Sequence, residues 1–139
     1  MKQNYHFSNS TRKSFRTSEN FVASLRYALK GLICCFKLTR NFRIQVYFAI
    51  FSLVLGFILN LKSYEFLILI STIISVLILE LLNTSIESLV DIVVGKKYNK
   101  LAKISKDCAA ASVLLAAINS IFIAVYLFFP KIIIIIEKL

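Results

Sequence analysis

Apolar residues run along this chain in three long blocks, residues 44–61, 66–80 and 108–129, each nearly free of charge. About 20 helical residues at 1.5 Å each cross a hydrocarbon core of about 30 Å, so these blocks have the reach of spanning helices. The pattern ahead of them is different. Phe21, Leu25, Ala28, Leu29, Leu32, Ile33 and Phe36 recur at helical spacing, with Arg26, Lys30 and Lys37 elsewhere, which predicts an amphipathic helix lying on a membrane surface. Thr17-Ser18-Glu19-Asn20 supplies capping chemistry at its start. The fold class expected is an all-α membrane protein, with three transmembrane helices plus an N-terminal amphipathic surface helix. The expected bounds are 18–38 for the surface helix and 44–61, 66–94 and 107–129 for the spans, in one domain over 18–130. A Ser/Asn-rich tail over 1–17 reads as disordered, and 131–139 as a short C-terminal tail.

Composition agrees with that pattern. Of 139 residues 58% are hydrophobic, and a mean hydropathy of +0.77 leaves too little polar surface to coat a soluble domain. Charge then orients the bundle. Residues 1–43 hold nine Lys or Arg against one acid, Glu19, and Lys96, Lys97, Lys100, Lys103 and Lys106 crowd the second connection. The first connection has only Lys62 and Glu65. Basic flanks favour the cytoplasmic side, so the expectation is a multi-pass protein of the inner (cytoplasmic) membrane, N-terminus cytoplasmic and C-terminus outside. Anionic lipid accounts for the net charge of +10, and no nucleic acid partner is expected. Cys34, Cys35 and Cys108 show no metal-ligand spacing, and the lone His6 sits in the tail.

The second span carries the chemistry. At about 100° per residue, Glu80, Asn83, Glu87 and Asp91 share an arc of about 80°, forming a polar stripe about 16 Å long on an otherwise apolar helix. Carboxylates near hydrocarbon cost on the order of 2.5–3.5 kcal/mol each at mid-membrane, so such a stripe belongs against a bundle interior or a wet cavity. Glu87 supplies hard oxygens suited to a divalent cation bridged to polyphosphate, while the deeper Glu80 suits proton acceptance from an alcohol. Asn83 lies between them and can hydrogen-bond either. The segment Gly95-Lys96-Lys97-Tyr98-Asn99 and Lys106 bring cations for phosphate to the same side of the membrane. There is no glycine-rich phosphate loop, so a nucleotide site must be built from helix ends and these side chains.

The residues Glu80-x-x-Asn83-Thr84-x-Ile86-Glu87-x-x-x-Asp91, then Leu101-Ala102-Lys103-x-x-Lys106-Asp107-x-Ala109-Ala110, resemble the prokaryotic diacylglycerol kinase family, which includes undecaprenol kinases. Tyr27-Ala28-Leu29-Lys30-Gly31 and Arg40-Asn41-Phe42-Arg43 extend the resemblance to roughly residues 20–130. The resemblance implies a small homotrimeric membrane enzyme that transfers the γ-phosphate of ATP, as its Mg²⁺ complex, to a lipid hydroxyl. It implies Glu80 as catalytic base, Glu87 as metal ligand and nucleotide contact, and Asn83 and Asp91 as supporting polar residues. Lys106 and Asp107 match nucleotide contacts, Tyr27 a residue near the adenine, and Lys97, Tyr98 and Asn99 stand where the family often has Glu-Tyr-His. Asn41, Phe42, Arg43 and Gln45, with Glu80, border the lipid substrate in this comparison.

One departure falls at Thr39, where many members carry a glutamate that shares the metal. A hydroxyl is a poorer Mg²⁺ ligand than a carboxylate. The acceptor expected is diacylglycerol, giving phosphatidic acid. The alternative acceptor is undecaprenol, whose kinases often have histidine where Gln45 stands. A second alternative is a non-catalytic or degenerate helical-bundle protein, for which Thr39 is the main support.

Overall fold

In the computed structural model of the chain, described over residues 21–95 and 97–137, every regular element is a helix. The tail with His6, the capping segment with Glu19, and Lys96 lie outside the described residues. Two compact units divide the chain between Cys34 and Cys35. The first contains the greater part of α1 (Phe21–Leu38), in which the Lys30 ammonium stands 5.9 Å from the centre of the Tyr27 ring.

The second unit is built from α2 (Arg40–Ile58), α3 (Ser63–Val94) and α4 (Lys100–Ile136). All three are long and apolar enough to cross a membrane. With 32 and 37 residues, α3 and α4 reach about 48 and 56 Å and so project beyond a hydrocarbon core of about 30 Å. α3 packs chiefly against α4 and also against α2. α3 and α4 begin and end beyond their apolar blocks, because a helix continues for as long as its backbone bonds are made, whatever the polarity of its surface; α2 begins ahead of its block but ends at Ile58, inside it.

The tight end of this unit is the one holding the α2–α3 turn. Leu59, Leu61, Leu69, Leu127 and Phe128 form its buried core. Gly56 lets this turn close on α3: a Cβ there would meet Leu61 at 3.1 Å and Leu69 and Phe66 at 3.3 Å. Lys62 N–H donates to Glu65 Oε2 at 2.7 Å, which caps the start of α3. The same oxygen receives the Lys131 ammonium at 3.2 Å from α4.

That ion pair lies past the expected end of the third span. The helix does not stop at Phe129 but runs through Pro130 to Ile136. Proline removes one backbone donor, and within membrane spans the neighbouring helices tolerate it. Here the residue directly after it is held to the start of α3.

Only 11% of the most apolar window of α3, and the same share of that of α4, is buried within the chain. The remaining apolar surface calls for lipid or another protein surface. Near the opposite end of the unit, Thr39 connects α1 to α2 in an extended conformation, its N–H and its Oγ1 both donating to the Cys35 carbonyl at 2.9 Å. All three cysteines are free.

Candidate active site

α3 is unbroken through the stripe, so helical spacing alone sets Glu80, Asn83, Glu87 and Asp91 along one face. Exposure rises along it. Glu80 is 2% exposed and Asn83 8%, Glu87 is half-buried, and Asp91 is open to solvent. Thr84 and Ser88 turn their hydroxyls back to the carbonyls of Glu80 and Thr84 at 2.9 and 2.8 Å, which satisfies them within the helix.

Each of the two inner carboxylates is held by a primary amide. Gln45 of α2 donates Nε2–H to Glu80 Oε2 at 2.9 Å, and Asn83 donates Nδ2–H to Glu87 Oε1 at 3.2 Å. The other ends of both amides, Gln45 Oε1 and Asn83 Oδ1, are buried with no hydrogen-bond partner among the described residues. Unpaired buried oxygens concentrated at one place in a fold mark it as a site of strain or chemistry.

At the outer end of the stripe, Asp91 Oδ1 meets Lys106 Nζ at 2.8 Å, linking α3 to α4. Both side chains are at least a third exposed, so this pair adds little to stability and serves mainly to place Lys106. Gly95 leaves α3 at φ 59°, ψ −130°, a conformation that other residues rarely adopt, with its N–H on the Asp91 carbonyl at 3.0 Å. Asn99 then caps α4, its Oδ1 accepting from the N–H groups of Leu101 and Ala102 at 2.9 and 3.2 Å.

The result is an open pocket of about 430 Å³ whose lining includes Glu87, Asp91, Lys97, Tyr98, Asn99, Lys103, Lys106 and Asp107. Three lysines face three carboxylates there, a mixture suited to polyphosphate together with a cation. Lys103, read from the sequence as part of the basic cluster and of the motif but given no site role there, lines the pocket beside Lys106. A second, apolar pocket of about 400 Å³ lies between α2, α3 and α4 and has Gln45 in its wall with Phe48, Ala49, Val76, Leu77 and Ile121.

The other candidates lie away from the stripe in sequence. Phe42 is 4% exposed and packs in the protein interior, and Asn41 is exposed. Arg43 donates to the Lys37 and Phe36 carbonyls at 2.9 and 3.4 Å, closing the last turn of α1. Tyr27 belongs to the first unit.

No cluster of three or more His, Cys, Asp or Glu side chains able to hold a metal occurs among the described residues. The donor set nonetheless fits Mg²⁺, which keeps several waters and is commonly held by one or two carboxylates plus substrate phosphates. Glu87, with one oxygen on Asn83 and its place in the pocket wall, is the carboxylate so situated.

The chain is similar to known proteins over most of its length. The family described as prokaryotic diacylglycerol kinase matches residues 26–128. A diacylglycerol kinase of Synechocystis sp. is 40% identical over 119 residues, covering 86% of this chain and 68% of that protein. An undecaprenol kinase of Bacillus subtilis is 36% identical over 111 residues, covering 80% and 89%. The diacylglycerol kinase of Escherichia coli K12 is 32% identical over 100 residues, covering 72% and 81%. With its three long apolar helices and a match across most of its length, the chain belongs to the prokaryotic diacylglycerol kinase family and is a lipid kinase.

Proposed function

We propose that this kinase transfers the γ-phosphate of MgATP to the hydroxyl of diacylglycerol, forming phosphatidic acid at the cytoplasmic face of the inner membrane. The observation that carries the reading is the graded stripe on α3. A fully buried carboxylate, Glu80, lies two helical turns from a half-buried one, Glu87, that lines a pocket also walled by Lys97, Lys103 and Lys106.

In this reading the pocket takes the nucleotide. Lys97, Lys103 and Lys106 contact the phosphates, and Asp107, Tyr98 and Asn99 contribute the rest of its wall. Glu87 holds Mg²⁺, which when bound supplies charge neutralisation along the polyphosphate. The reacting hydroxyl lies at Glu80, which takes its proton as the oxygen attacks the γ-phosphorus in line. No phosphoenzyme is required, since positioning and electrostatic stabilisation provide most of the catalysis. The lipid chains run into the apolar pocket beside Gln45, with Asn41 and Arg43 on the approach and Phe42 packed in the interior beside them in sequence. The assembly is a homotrimer, and its contacts cover part of the apolar surface left open on α3 and α4.

Undecaprenol is the second reading, favoured by the similarity to the Bacillus subtilis undecaprenol kinase. The two differ in what fills the apolar pocket, and the phosphoryl chemistry is shared. Purified protein in mixed micelles with labelled ATP, Mg²⁺ and either lipid tests both. Faster labelling of diacylglycerol is expected. Faster labelling of undecaprenol assigns that acceptor instead, and transfer to neither lipid overturns the proposal.

A further inference from the structure

Gln45 uses one end of its amide and leaves the other idle. Its Nε2 donates to Glu80 Oε2 at 2.9 Å across the α2–α3 contact, yet Oε1 is buried with no partner among the described residues. A buried carbonyl without a hydrogen bond is costly, and packing does not require it, because methionine or leucine fills similar space with no polar atom. Both ends find a use if Glu80 exists in two forms during turnover. An ionised carboxylate only accepts hydrogen bonds, whereas a protonated one has an O–H that must donate. A primary amide meets both needs, presenting N–H to the first form and C=O to the second after a half-turn about its terminal torsion.

We propose that Gln45 is the positioning residue of Glu80 in both of its protonation states, donating to the carboxylate before phosphoryl transfer and accepting from the carboxylic acid after it. This rests on the reading of Glu80 as proton acceptor. In the transfer step the lipid hydroxyl proton moves to a Glu80 oxygen, and the oxygen lone pair so exposed forms the new bond to the γ-phosphorus. The bond from that phosphorus to the β–γ bridging oxygen breaks, its electron pair staying on ADP. The Glu80 O–H then points at Gln45, whose amide turns over to receive it through Oε1. Loss of the proton to water on product release returns the amide to its donating orientation. Asn83 shows the same half-used amide toward Glu87. Glu87, however, lines the open pocket, so water there can serve the second role.

The test compares the full-length parent with Gln45→Met and Gln45→His in mixed micelles. Methionine keeps length and apolar bulk but has neither N–H nor C=O, whereas neutral imidazole has one donor and one acceptor nitrogen. Gln45→Met should lose about 10- to 100-fold in kcat while KM for ATP stays within about twofold, and Gln45→His should regain most of the loss. The Glu80 carboxylate infrared band, assigned by its disappearance in Glu80→Gln, should shift in Gln45→Met and return toward the parent position in Gln45→His. A Gln45→Met enzyme with kcat within about twofold of an active parent overturns this proposal alone. A parent inactive on both lipids overturns the kinase reading along with it. Equal losses in the methionine and histidine variants, with the infrared band unmoved, reduce Gln45 to packing and also overturn the proposal.

Discussion

At the scale of single residues, the site is a set of oxygens held in readiness by neighbours of modest chemistry. Glu80 and Glu87 each accept from an amide, and the amide that reaches Glu80 comes from a residue 35 positions away on another helix. Removing the charge of Glu87 by Glu87→Gln is expected to weaken Mg²⁺-dependent ATP binding by about 10- to 100-fold, with Mg²⁺-independent nucleotide binding little changed, as read by titration in detergent. Thr39 provides a complementary case. Its hydroxyl proton is committed to the Cys35 carbonyl, so a glutamate in its place has to abandon that bond and reach outward. Thr39→Glu is then expected to lower the Mg²⁺ concentration for half-maximal rate. An unchanged Mg²⁺ dependence removes Thr39 from the account of the metal site. Much of this scale was legible in the sequence, since helical spacing alone put Glu80, Asn83, Glu87 and Asp91 on one face. The Gln45–Glu80 bond was not, because no periodicity reports a contact between two helices, and Gln45 read only as a residue bordering the lipid.

At the scale of elements, the turn from α3 into α4 shapes the pocket. Gly95 ends one helix at a positive φ, and Asn99 starts the next with two backbone bonds. Asn99→Ala should cost about 0.5–2 kcal/mol of stability by loss of the cap. It should also weaken ATP binding, because Lys97 and Tyr98 sit on the three-residue stretch between the caps. Thermal unfolding and nucleotide titration in the same detergent check the two effects. A variant that loses ATP affinity at unchanged stability shows instead that the Asn99 side chain touches the nucleotide directly. The apolar blocks foretold the helices themselves, but not where they stop. α4 passes through Pro130 because its continuation is tied down by Lys131 on Glu65, a long-range pairing that no local signal announces. Lys103 was legible as one of the basic residues of this connection, but its place in the pocket wall was not.

At the scale of the whole molecule, surface chemistry decides what the chain can be. Helices whose most apolar windows hold only 11% buried residues need either acyl chains or protein against them. A homotrimer meets part of that need, and cross-linking in native membranes or light scattering in detergent is expected to report three copies. A strictly monomeric enzyme with full activity contradicts that expectation and confines the site to one chain. The balance of three lysines and three carboxylates around the open pocket between α3 and α4 gives this face of the molecule its chemistry, and the graded burial of α3 leads from that face toward the apolar part of the helix.

The most direct test is of Glu80. Single-turnover phosphate transfer to diacylglycerol should be compared in parent and Glu80→Gln protein, with ATP affinity measured on the same samples. Glutamine keeps the size of the side chain but is a far weaker proton acceptor. The account predicts a rate loss of about 10²- to 10⁴-fold at nearly unchanged ATP affinity. Transfer by Glu80→Gln at the parent rate would show that the buried carboxylate is not where the lipid proton goes, and would contradict the central claim.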